Sequence, residues 1–418
     1  MKLLYTVLFA FVFSNFSVAQ DTVYTRSVIN KLCSPAFKGR AYVGKGDKKA
    51  ASYIAAEFKS IGLKPLDKSF FQKFYFSVNT FPGKMSVKYN GNLLKPGIDY
   101  IVDPSATSIK FKGRVEFVPI EKLNRQDLYD TEFYPLNEVI IDTFDKKNAE
   151  GAAINYQKFM SDRNKKLLIR LSNEKLTWSS SYRQSHQCQI VFLSTVFDRT
   201  KPADLEINIE ADFKQKYESN NVVALIEGTK YKDSYIVVTA HYDHLGMMGS
   251  KTMFPGANDN ATGIAMILNM AKHYKANPSK YSIVFIAFSA EETGLIGSKY
   301  FVTNPLINLN EIKFLINIDL MGNGADGVMA VNGAVYKSQF EKLKSINQQK
   351  NYLPDVKMRG KAANSDHYWF SENGVPCFFF YLMGPYPYYH DVNDKASAVP
   401  LTNFSQAFQL FVDFIDQL

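Results

Sequence analysis

From Asn221 to the end of the chain, strand-like apolar runs alternate with helix-like segments. The runs NVVALIEG, YIVVTA, SIVFIAFSA, KFLINIDL and CFFFYL, with a further strand near Val328, are almost continuously apolar. Between and after them, helical spacing marks 261–274, GLIGSKYF, VYKSQFEKLKSI and 401–418. An amphipathic strand covers one face of a sheet, whereas an all-apolar strand needs cover on both. The expectation is an α/β fold, a mainly parallel mixed sheet flanked by helices. In such sheets binding sites form beyond the carboxyl ends of the strands.

The earlier part of the chain divides in two. Ala50, Ala51, Ile54, Ala55 and Phe58 recur at helical spacing and Gly62 stops that helix. From Phe71 to Lys216 the pattern is short and alternating: MSVKY, YIV, IKF, VEFV, EVIID, KLLIRL, QIVFL. Turn signals such as Asn90-Gly91 and Pro96-Gly97 separate the runs, which predicts an inserted β-rich domain over 71–216. It holds no cluster of His, Cys and carboxylates, so no chemistry is assigned to it. The expected division is therefore 1–19 signal peptide, 20–70 with 217–418 as one domain, and 71–216 inserted within it.

The signal segment rests on Met1-Lys2, the apolar run from Leu3 to Phe13, and small residues at Ser17-Val18-Ala19 before Gln20. A membrane span needs about 20 apolar residues, so the run is short for a stable anchor, and no other stretch approaches that length. The expected location is secreted or periplasmic. The net charge of +9 is spread over scattered lysines with no dense basic run, which argues against nucleic-acid binding. Three cysteines, Cys33, Cys188 and Cys377, are too widely spaced for a disulfide framework or a zinc knuckle. One disulfide among them stays open at this stage.

The chemistry collects at the strand ends. YIVVTA ends in His241 and Asp243, SIVFIAFSA in Glu291-Glu292, and KFLINI in Asp319. CFFFYL leads into a loop carrying His390, and Asp259 stands at a helix entrance. Each has a bland alternative: a structural histidine, a solvated acidic pair, a helix cap at Asp259. Their shared sheet edge argues against that many coincidences. Two histidines and three carboxylates suit zinc. One ion could take His241 and Asp319 and another Glu292 and His390, with Asp259 bridging the two. Asp243 could accept the second imidazole N–H of His241. Adjacent residues in extended backbone face opposite ways, so Glu291 could reach a shared water as general base. His244 and His273 read as surface or helix-face residues.

These motifs together resemble the zinc aminopeptidase family that includes bacterial leucyl aminopeptidases, aminopeptidase Y and glutamate carboxypeptidase II. The matching stretches are HYD at His241, GANDNATG around Asp259, AEETGLIGS around Glu291, NIDLMG around Asp319, SDHYWF around Asp366, and Tyr389-His390. The resemblance is strong from about Asn221 to Leu418 and weak over SPAFKGRAYVGKGDKKAASYIAAEFKSIGLKP. It implies two Zn2+ per chain on His241, Asp259, Glu292, Asp319 and His390, with Glu291 as base and Tyr389 on the oxyanion. Asp366-His367 is given no part beyond shaping the site. The resemblance also implies a peptide substrate with a free N-terminus. Relatives often carry a protease-associated domain at the insertion, which 71–216 does not clearly show. Rival readings on the same fold are a one-zinc glutaminyl cyclase, a carboxypeptidase for acidic C-termini, and an inactive binding scaffold. The aromatics Tyr386, Tyr388, Tyr389, Trp369 and Phe370 fit an apolar substrate pocket or simple core packing.

Overall fold

The apolar runs form the middle of one sheet. In the computed structural model, which describes residues 21–118, 139–141, 167–198 and 200–418, this sheet has nine strands among the described residues. In chain order they are β1 (Lys64–Pro65), β2 (Phe71–Thr80), β3 (Asp212–Ile226), β4 (Tyr231–His241), β5 (Tyr281–Phe288), β6 (Ile312–Ile318), β7 (Gly327–Val331), β8 (Val356–Met358) and β9 (Cys377–Met383). Their spatial order is β1-β3-β5-β4-β6-β9-β7-β8, with β2 paired to β3. The inner ladder β5-β4-β6-β9 is parallel. Outside it, β3 joins β5 and β7 joins β9 antiparallel. The expected mixed, mainly parallel α/β sheet is present.

Both faces are covered, as continuous apolarity requires. In β4, Ile236 and Val238 point into one core, and Val237 between them points into the other, the two-residue alternation of a strand. The first core is completed by helices α1 (Thr22–Leu32), α2 (Gly46–Ile61), α3 (Thr262–Ala276) and two further helices, Lys337–Lys350 and Phe404–Asp416. The second is closed by Phe301 and Phe370 from Ile296–Thr303 and His367–Glu372. Phe370 is thus a core residue, packed against Phe288 and Phe301. Gly62 ends α2 at φ +90°, a left-handed conformation open to glycine without strain.

A second sheet, of eight strands among the described residues, lies between Met85 and Ile209. Its core of Val87, Tyr100, Ile169, Ile190, Phe192 and Ile207 also takes in Leu245, Met248 and Phe254 from the loop after β4. The strands that lead out to it and back, β2 and β3, pair with each other from Phe71↔Val222 to Asp212↔Thr80. Those strands are part of the larger sheet, so the second sheet proper begins and ends inside the 71–216 stretch. All three cysteines are free thiols. No helix among the described residues is long and apolar enough to cross a membrane. The expected signal peptide, residues 1–19, lies outside the described residues.

One side chain fixes the loop that follows β4. Arg40 is 0% exposed. Its guanidinium donates to the carbonyls of Tyr242 at 2.7 Å, Pro255 at 2.6 Å, Gly256 at 2.7 Å and Asp259 at 3.1 Å. A buried carbonyl left without a donor costs about 1–3 kcal/mol, and a lysine ammonium cannot reproduce the planar fork. Arg40→Lys should therefore lose about 2–4 kcal/mol, read as a lower urea midpoint with an unchanged slope. An unchanged midpoint would show that the clamp does not hold this loop.

Candidate metal centre

The strand ends converge as the parallel order demands. β4 delivers His241, the turn after β5 delivers Glu291 and Glu292, Asp319 follows β6 directly, and the loop after β9 brings His390. Asp259 lies in the turn before α3. It does not cap that helix, whose N-cap is Ala261. Instead, the Asn258 and Asp259 amides donate to the two carboxylate oxygens of buried Asp394, at 2.8 and 3.1 Å. That turns the Asp259 carboxylate inward.

The distances sort the groups into two sets sharing Asp259. His241 Nε2 lies 3.2 Å from Asp319 Oδ2 and 3.4 Å from Asp259 Oδ1. His390 Nε2 lies 3.2 Å from Asp259 Oδ2 and 3.2 Å from Glu292 Oε2. Zinc–ligand bonds of about 2.0–2.1 Å in a tetrahedron put ligand atoms roughly 3.3 Å apart. The separations match that edge and are longer than a short charge-assisted hydrogen bond. Asp319 Oδ1 is buried with no hydrogen-bond partner, an orphan that a cation would satisfy. His241, Asp259 and Asp319 thus form a group able to hold a metal ion.

His244 corrects the expectation of a surface residue. It is 1% exposed, and its Nδ1–H donates to Glu292 Oε1 at 2.7 Å, leaving Oε2 facing His390. A Cβ on Gly256 would stand 2.4 Å from the His244 ring, so only glycine admits the imidazole there. His244 also groups with Asp259 and Glu292 as a combination able to hold a metal ion. Its 2.7 Å contact is a hydrogen-bond length, not a ligand-to-ligand edge, so it reads as support for Glu292.

Asp243 needs a second correction. The Nδ1–H of His241 meets the backbone carbonyl of Asp243 at 3.1 Å, while the Asp243 carboxylate stands 3.9 Å away. That carboxylate accepts instead from the Glu291 amide at 3.1 Å and from the Tyr42 hydroxyl at 3.4 Å. The tautomer is fixed as expected, by a different oxygen of the same residue. Tyr389 is 49% exposed and stacks on the His390 ring at 3.9 Å between centroids. Ser365 takes a hydrogen bond from Asn317 at 2.8 Å and reaches toward Asp319 Oδ2 at 3.5 Å, which gives the Ser365-Asp366-His367 turn a part in seating Asp319.

Electrostatics follow from burial. Desolvation lifts the Glu291 carboxyl well above the usual range. His241 opposes the lift, and the nearby carboxyls of Asp366, Glu292 and Asp319 reinforce it. Burial likewise raises Asp243 to about 8 and Asp366 to about 7. Burial alone would depress His390, but Glu292 and Asp259 hold it up at about 11. Glu292 moves the opposite way: burial pushes it up, and His390 and His244 pull it well below the carboxylate range. These directions belong to the protein groups alone, and a divalent cation among them inverts the balance.

Residues 221–415 match the family model described as Peptidase family M28. Aminopeptidase YwaD of Bacillus subtilis is 31% identical over 200 residues, 45% of this chain and 42% of that relative. The chain therefore spans less than half the length of that curated relative. The fold superposes on BSAP, a zinc aminopeptidase from Bacillus subtilis, with TM-score 0.69 at 19% identity, covering 95% of each chain. An aminopeptidase from Aneurinibacillus sp. strain AM-1 gives TM-score 0.66 at 19% identity over 96% of this chain and 94% of that one.

A metal can reach His390 Nε2 only after its proton leaves. The imidazole's raised pKa keeps that proton on at neutral pH, so binding releases it. Zinc affinity should tighten as pH rises, by about tenfold per pH unit for each proton displaced. Competition with a chromogenic chelator between pH 6 and 8 measures the slope. An affinity independent of pH would contradict the assignment.

Proposed function

We propose, from the match of residues 221–415 to the model for Peptidase family M28, that this chain is a two-zinc exopeptidase of the aminopeptidase type. It would release N-terminal residues from peptides. The observation that carries this is Asp259, whose two oxygens face two separate His–carboxylate pairs. His241 and Asp319 would hold one ion and Glu292 and His390 the other, with one Asp259 oxygen turned to each pair. Zinc held there supplies Lewis-acid polarisation of the scissile carbonyl and lowers the pKa of a water, from about 15.7 toward 7.

The remaining steps fall to side chains of this chain. Glu291 accepts a proton from the attacking water and passes it to the leaving amine nitrogen. With cations in the site the Glu291 carboxylate is ionised, so it can take that proton and hold it between the two transfers. Asp243 anchors the Glu291 backbone through the amide contact described above, so its part is positioning. Tyr389, half exposed and stacked on His390, would donate a hydrogen bond from its phenolic O–H to the developing oxyanion. A secreted or periplasmic location is the matching expectation, and rests on Met1-Lys2, the Leu3–Phe13 run and the small residues Ser17-Val18-Ala19 before Gln20.

Glu291→Gln should keep its zinc and lose about 10²–10⁴-fold in kcat on aminoacyl-nitroanilides. Rates within a few-fold of the native protein would remove Glu291 as the base. The same panel, with N-acetylated counterparts and with a chelator, tests the substrate class. Cleavage of free but not N-blocked substrates, abolished by the chelator, is expected. Preference for N-blocked peptides with free C-termini would make the protein a carboxypeptidase. One tight zinc with cyclisation of N-terminal glutamine would make it a glutaminyl cyclase. No turnover by zinc-loaded protein would leave a binding scaffold.

A further inference from the structure

We propose that the second-sheet unit is a working part of the metal centre: residues 175–182 orient His390 and hold one of the two metal sites but not the other. The inference rests on His390 being a ligand, as argued above.

For Nε2 of His390 to face a metal, Nδ1 must carry the proton and donate it. The acceptor is the backbone carbonyl of Trp178, at 2.7 Å, and the Trp178 N–H donates back to the His390 carbonyl at 3.2 Å. Both ring direction and loop position of His390 are therefore set by one residue of the other unit. Lys175 adds a second hold on the same loop. Its ammonium donates to the carbonyls of Pro387 and, at 3.2 Å, Tyr389, and pairs with Asp391 at 3.0 Å.

The strap is itself anchored. Trp178 is 5% exposed, its indole N–H donates to the Val102 carbonyl at 2.8 Å, and its ring packs on Phe254 with centroids 4.8 Å apart. Further along, the Ser181 and Tyr182 carbonyls accept from the Asn79 amide at 2.9 Å and the Ser77 hydroxyl at 2.7 Å. Ser180 Oγ lies 3.0 Å from the hydroxyl of Thr293, the residue after Glu292, and that hydroxyl lies 2.8 Å from Tyr42.

The consequence is asymmetric. The strap reaches both loops that carry Glu292 and His390. The partners of His241 and Asp319, in contrast, are the Asp243 carbonyl and Ser365, both in the larger sheet's own loops. The strap's direct hydrogen bonds thus fall on the loops of one ion's ligands, and toward the other's they run only through Thr293 and Tyr42 to the Asp243 carboxylate.

The test measures zinc binding to the full chain by calorimetry. Lys175 is partly exposed, so Lys175→Met should fold normally, and a Lys175→Met/Ser180→Ala double variant releases both ends of the strap. We expect two zinc events in the native protein, with one weakened about 10–100-fold in the double variant and the other within twofold. Lys175→Arg should restore most of the loss, and excess zinc should restore kcat. Two unchanged affinities, or an equal fall in both, would overturn the inference. His390→Ala separates this from the ligand assignment. If it keeps both ions, the two-zinc assignment fails. If it loses one ion while the strap variants keep two, only the strap's part fails.

Discussion

Charge burial at the carboxyl edge of one sheet is the constraint on which the rest of this molecule depends. Asp243, Asp259, Glu291, Glu292, Asp319 and Asp366 face the same region as His241, His244 and His390. An isolated ionised carboxylate in such surroundings is strongly unfavourable. Protons relieve part of it, which is why Asp243, Glu291 and Asp366 are all shifted upward. Divalent cations relieve it more fully and leave the carboxylates ionised. The apolar cores on both faces of the sheet keep the strand ends from spreading, so the groups cannot separate to lower their repulsion.

The surroundings answer that constraint with neutral dipoles as often as with charges. Arg40, fully buried, donates to backbone carbonyls and, among the described residues, pairs with no carboxylate. It holds the Tyr242–Asp259 loop in place. Asp394 accepts two amides on the other side of that turn. Between them they aim the Asp259 carboxylate at both histidines. A backbone carbonyl orients each of these rings: Asp243 for His241 and Trp178 for His390. The two halves of the centre are therefore alike in chemistry and different in their dependence on the second sheet.

Much of this was legible in the sequence, for a physical reason. Continuous apolarity has one solution in a sheet with two covered faces, and parallel strands put their ends at a common edge. His241, Asp259, Glu292, Asp319 and His390 could be picked out because each ends or follows such a strand or opens a helix. What stayed hidden belongs to loops and to the main chain. His244 stands in a loop, where burial leaves no periodic trace, and its place beside Glu292 depends on the space Gly256 leaves. Arg40 reaches groups more than 200 residues away. The Asp243 and Trp178 carbonyls have no signature at all, because every residue carries one. The expectation for Asp243 named the right residue and the wrong oxygen for that reason.

Anomalous diffraction at the zinc edge from zinc-loaded crystals tests the central claim most directly. Two peaks are predicted, roughly 3.5–4 Å apart, one beside His241 and Asp319, the other beside Glu292 and His390, with Asp259 touching both. A single peak, or an ion held by His244 in place of His390, would contradict the account.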